Sequence, residues 1–64
     1  MNAEELKEYL DNEITDADIE AWHNGELTQH MSELLDYVYL HIPDAEVQIW
    51  GSRVGSEPLH IIVK

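Results

Sequence analysis

The chain has 64 residues, with fourteen acidic side chains against three basic ones, a formal net charge of −11, and no cysteine. A field of that sign argues against direct contact with nucleic acid or an anionic membrane and favours a basic partner surface. The lack of cysteine excludes disulfides and thiolate metal sites. Hydrophobic residues make up 44% of the chain, enough to expect one packed domain over 1–64, at a size where a core alone gives marginal stability.

The first element in chain order is a helix opened by Asn2. Glu5 stands three residues after it, the spacing of a capping box, and Leu6, Tyr9 and Leu10 recur on one helical face. Glu4, Glu8 and Asp11 fall on the opposite face. A second helix is announced by Thr15 with Asp18, again at capping-box spacing, flanked by Ile14 and Ile19 at the two positions of a hydrophobic staple. Ile19 and Trp22 are expected in its core face, and Asn24-Gly25 supplies a stop.

Leu27, Met31, Leu34, Leu35, Val38 and Ile42 fit one face of a third and longest helix, which Pro43 and Asp44 end. Strand propensity is high over Tyr37–Ile42, so a shorter helix followed by a strand is the alternative. The unbroken periodic set predicts helix. On that helix Leu40 projects with Glu33 and Asp36, opposite the core stripe.

Beyond Pro43 the period changes to two. Val47 and Ile49 alternate with Gln48 and Trp50, and Leu59, Ile61 and Val63 alternate with His60, Ile62 and Lys64. These are two strands of an antiparallel hairpin, joined across a loop that contains Gly51, Gly55 and Pro58. The fold class expected is therefore α+β: a helical part over 2–42, then a hairpin over 46–64 packed on it through Val47, Ile49, Leu59, Ile61 and Val63. Trp50 and Ile62 would lie on the other face of the sheet. A two-stranded sheet is marginal alone, so self-association through Trp50, Ile62 and the terminal edge strand, giving a homodimer, is one expectation.

Charge is unevenly distributed along the chain. Thirteen of the fourteen acids lie between Glu4 and Glu46, and Lys7 is the only basic residue before Arg53. Glu4–Glu8 and Asp16–Glu20 are like-charge pairs at a spacing of four, each costing a few tenths of a kcal/mol. Acids in first turns, such as Glu4, Glu5, Asp16 and Asp18, gain from the helix dipole; Asp11, Glu20, Glu33 and Asp36 gain little from it. Scattered acids ordinarily just cover solvated helix faces; the density here points instead to contact with a basic protein surface. Successive carboxylates four apart on a helix rise about 6 Å, a sparse copy of the phosphate field of duplex DNA.

Chemistry-bearing motifs are absent. His23 and His30 are seven apart but separated by Asn24-Gly25, and no paired-histidine or other ligand cluster exists, so no metal or cofactor is expected. His30 and His41, with Tyr37 between them, flank the core stripe of the third helix. Ser32, Ser52 and Ser56 sit in no nucleophile-elbow pattern. The Gly51–Gly55 loop leads toward a strand rather than a helix, and so is no phosphate cradle. An enzyme is not expected. No apolar run reaches the roughly 20 residues that cross a bilayer. The start Met1-Asn2-Ala3-Glu4-Glu5 lacks the basic and apolar regions of a signal peptide, so a cytoplasmic location in a bacterial or phage-infected host cell is expected.

In size and charge the chain resembles the small acidic inhibitors encoded by phages and mobile elements, including DNA mimics that block restriction or CRISPR effectors. The likeness is one of composition and assigns no residues. The function it implies is a non-enzymatic inhibitor that occupies a basic, nucleic-acid-binding surface of a target protein. The residues expected to carry that contact are Glu4, Glu8, Asp11, Asp16, Glu20, Glu33, Asp36 and Leu40. Two alternatives stand beside it: a self-associating structural or regulatory module built on the hairpin, and an antitoxin or immunity-type protein that neutralises a basic toxin.

Overall fold

A computed structural model describes all residues, 1–64. Three helices, α1 (Ala3–Glu13), α2 (Asp16–His23) and α3 (Gln29–His41), precede two strands, β1 (Val47–Trp50) and β2 (His60–Val63). The strands form an antiparallel hairpin in which Val47 pairs with Val63, Ile49 with Ile61 and Trp50 with His60. The sheet packs against α1, chiefly through β2, and α1 also contacts α3. The chain is thus α+β, with its C-terminal hairpin laid on the helices. None of the helices is long and apolar enough to cross a membrane.

Each helix begins where an oxygen-bearing side chain satisfies backbone N–H groups that the helix leaves free. Asn2 and Glu5 form a reciprocal capping box on α1, and Thr15 and Asp18 form another on α2. The staple residues Ile14 and Ile19 are both buried in the core. Asn24 caps the end of α2, and Gly25 follows with a φ of 77°, a turn that a residue with a Cβ makes only under strain.

The start of α3 differs from the sequence expectation. Thr28 is its N-cap, accepting from the Met31 N–H, and the helix runs from Gln29. Leu27 therefore precedes the helix and is 55% exposed rather than in the core stripe. The periodic apolar set reads through Leu27, but Thr28 adopts the extended backbone of a cap and turns the preceding residue out of the helical path. At the other end the segment 37–41 is helical and Ile42 is the C-cap.

Leu6, Leu10, Ile14, Ile19, Met31, Leu34, Leu35, Val38, Ile49 and Ile61 form one buried cluster shared by all five elements. Complete burial of a side chain such as Leu6, Leu10 or Val38 stabilises by about 2 kcal/mol. Trp22 is only half-buried at the margin of this cluster, with Tyr9, Tyr37, Val47, Leu59 and Val63. α1 and α3 meet where Met1 and Tyr9 lie against Tyr37 and His41. Tyr9 and Tyr37 rings lie 4.7 Å apart, Tyr37 and His41 rings 4.7 Å apart, and the Met1 amino group is 3.3 Å from His41 Nδ1.

Candidate partner-binding surface

The eight residues singled out for partner contact are all exposed: Glu4, Glu8 and Asp11 on α1, Asp16 and Glu20 on α2, and Glu33, Asp36 and Leu40 on α3. Their position follows from the core pattern. With Leu6 and Leu10 directed inward, residues 4, 8 and 11 fall on the back of α1; with Met31, Leu34, Leu35 and Val38 inward, residues 33, 36 and 40 fall on the back of α3. Leu40 is 76% exposed, an apolar side chain among acids. Asp18 is the only buried acid, so thirteen of the fourteen carboxylates face solvent.

These acids do not form one uniform face. Asp11 and Asp16 are drawn together at the α1–α2 corner by Arg53, whose guanidinium nitrogens lie 3.9 Å from Asp11 Oδ1 and 3.7 Å from Asp16 Oδ1. Arg53 Nη1 also donates to the Ile14 carbonyl at 2.8 Å, and Nη2 donates to the Asp11 carbonyl. After the Asp18 hydrogen bond, the negative charges of Glu13 and Glu33 also favour the protonated His30 imidazole. Glu4, Glu8, Glu20 and Asp36 have no cationic partner within ion-pair distance, and neither Lys7 nor Lys64 pairs with any acid.

Sequence reasoning placed Asp18 at the start of α2 but missed what surrounds it. Its carboxylate is 2% exposed and accepts from Thr15 N–H at 3.0 Å, from the Thr28 hydroxyl, and from His30 Nδ1 at 2.6 Å. Thr28 in turn accepts from Met31 N–H at 3.0 Å, so one carboxylate ties the N-cap of α2 to the N-cap of α3. Burial pushes the Asp18 carboxyl up, but the hydrogen bonds from Thr28, His30 and Thr15 outweigh it and hold the group down at about 2. The His30 imidazole is raised above 6.5, first by its hydrogen bond to Asp18, against a smaller opposing effect of burial. Thr28, three residues before an apolar core position, is the one local signal that could have pointed to this second cap.

The hairpin contributes a different surface. On its outer side Trp50 is 59% exposed. Trp50 Nε1 donates to Gln48 Oε1 at 3.1 Å, and Gln48 Nε2 donates to Glu46 Oε1 at 3.2 Å, a ladder along one strand face. Ile62, on the same face, is half-buried, with Gln48 directly opposite. His23 Nε2 donates to the Gly51 carbonyl at 2.7 Å, fastening the end of α2 to the end of β1. No group of three His, Asp or Glu side chains is arranged to hold a metal ion.

Comparison of the chain with protein-family models, with curated proteins and with solved structures gives no match.

Proposed function

We propose that this protein is a non-enzymatic inhibitor that lays its exposed acidic helices on a basic, nucleic-acid-binding surface of a target protein, and so competes with nucleic acid for it. The observation that carries this reading is the uncompensated surface: thirteen exposed carboxylates, of which only Asp11 and Asp16 meet a basic side chain within 4.0 Å. Long-range attraction from such a surface accelerates encounter with a cationic site. Leu40, standing exposed beside Asp36 and Glu33 on the back of α3, supplies an apolar contact at which the complex excludes water. The partner is a nucleic-acid-binding protein or nuclease, contacted without direct binding of nucleic acid or membrane. The antitoxin alternative shares this physics and differs only in the partner.

The test is capture of partners from host lysate on the immobilised protein, followed by elution with salt or with duplex DNA. A partner released by moderate salt and by duplex DNA supports the reading, since exposed charge pairs are screened beyond about 8 Å at physiological ionic strength. Partners retained equally at low and high salt, or no partner at any salt, remove it. The exposed indole of Trp50 favours one second reading, a module that self-associates through the outer hairpin face. Trp50→Glu separates the two: the inhibitor keeps its partner, whereas a hairpin-mediated dimer dissociates in sedimentation equilibrium.

A further inference from the structure

The α1–α2 corner is built to hold a guanidinium. The last turn of α1 contains no basic residue, so the negative end of its dipole is uncompensated from within the helix. Two backbone carbonyls at that end, of Asp11 and Ile14, accept from Arg53, and the Asp11 and Asp16 carboxylates flank the same side chain. Carbonyl and carboxylate oxygens together around one planar fork match arginine and not lysine, whose ammonium is a point charge. The carbonyls are fixed by the end of α1 and by the burial of Ile14; they do not depend on the acids around them.

The cation that fills this cradle comes from the loop between the strands. That loop is closed at its base, where Ser52 N–H donates to the Glu57 carbonyl at 3.1 Å and Gly51 has a φ of 69°. Residues 53–56 make no backbone hydrogen bond to the helices. Arg53 is thus the side chain that ties this tip to the α1–α2 corner; within the tip Gly55 N–H donates to Ser52 Oγ at 2.7 Å, and Val54 is 80% exposed. Beside the tip is a cleft of about 290 Å³ that reaches Asp16 and Glu20 on α2.

We infer that this corner is where an arginine of the basic partner binds, and that Arg53 occupies it in the free protein as an internal competitor which the partner displaces. This rests on the acidic-surface reading above and assigns it a specific contact. Displacement frees Asp11 and Asp16, two of the eight contact residues, and releases the loop tip beside Glu20.

Binding of fluorescent nona-arginine and nona-lysine peptides to the wild type and to Arg53→Gln, by anisotropy at low salt, tests it. Removal of the competitor is expected to tighten nona-arginine by about tenfold, the scale of one charge-assisted fork, and nona-lysine by much less. Equal affinity of both proteins for nona-arginine, or an equal gain for the two peptides, overturns the competitor and leaves the acidic surface standing. No binding of either peptide by either protein overturns the acidic surface as well. Should Arg53→Gln fail to fold, the guanidinium resonances of Arg53 in the wild type give the answer during the nona-arginine titration. They are expected to move toward the values of free arginine; a guanidinium that stays fixed while peptide binds elsewhere overturns the competitor.

Discussion

α1 and α2 begin with the same device in two settings. Asn2 N–H donates to Glu5 Oε1 at 3.1 Å and Glu5 N–H to Asn2 Oδ1 at 2.9 Å; Thr15 N–H donates to Asp18 Oδ2 at 3.0 Å and Asp18 N–H to Thr15 Oγ1 at 3.1 Å. The local geometry is nearly identical. The surroundings are not: Asn2 and Glu5 stand in solvent, whereas Asp18 is buried and shared with Thr28 and His30. A capping box sets where a helix starts in both places. Its energetic weight depends on whether water can replace the hydrogen bonds it makes, and only around Asp18 is water excluded.

The largest effect expected from that difference follows Asp18→Ala. The substitution strips an acceptor from the Thr15 N–H, the Thr28 hydroxyl and His30 at once, and a loss of about 2 kcal/mol is expected from the unsatisfied, partly buried donors together with the lost cap. For a domain of this size that is a large part of the total stability. Urea unfolding followed by circular dichroism should show a much lower midpoint, or no cooperative transition at all. A shift no greater than that of an exposed cap would break the comparison.

Next in size is the pH dependence, which separates buried Asp18 from its exposed partner His30. The Asp18 carboxyl is lowered from 3.8 to about 2 in the folded protein, burial notwithstanding, by the hydrogen bonds from Thr28, His30 and Thr15. A depressed carboxyl adds stability that is present above its unfolded value and lost as pH falls from about 4 toward 2, here about 2 kcal/mol. The His30 imidazole is raised, first by its hydrogen bond to Asp18, with burial opposing and with Asp18, Glu13 and Glu33 adding their charge. Its contribution has the opposite sign: full below 6.5, and lost as pH rises through the raised value. Stability contributed by the pair is therefore greatest between about pH 4 and 6.5. Urea midpoints measured across that range should fall on both sides, and His30→Gln should abolish the decline on the alkaline side while keeping most of the acid one. A wild-type midpoint that stays level above pH 6.5 would remove His30 from the network.

Much of this was legible in the chain. Both capping boxes, the Ile14–Ile19 staple, the Asn24-Gly25 stop and the alternation within each strand are patterns complete within six residues, and local backbone chemistry is enough to produce them. The exposure of the acids and of Leu40 was legible for a related reason, since a helical period fixes the outer face once the inner one is known. What escaped was set by residues brought together by the fold. Asp18 reaches Thr28 and His30 across the α2–α3 turn, 10 and 12 positions away, and Arg53 returns to Asp11 and Ile14 from 42 and 39 positions away. No spacing rule connects such pairs. Leu27 failed for the converse reason: it fits the period of α3, but the Thr28 cap decides where the helix begins. Ile62 sits on the outer strand face as alternation requires, opposite Gln48, yet it is only half-exposed.

The smallest effect is expected at the first box and serves as the reference for the second. Asn2→Ala removes one exposed cap and should cost about 0.5–1 kcal/mol. Two features limit the damage. Leu6 and Leu10 are fully buried and keep the body of α1 in place, and the Met1 amino group and sulfur reach His41 and Tyr37, holding the chain entrance from outside the helix. The loss should therefore be local, with faster amide exchange at Glu5 and Leu6 and a urea midpoint only slightly reduced. Glu5→Ala should do no more, because its carboxylate caps a single N–H that water can reach. If either substitution destabilised the protein as much as Asp18→Ala, burial would not be what distinguishes the two caps, and the weight of the second would have to lie in its local geometry instead.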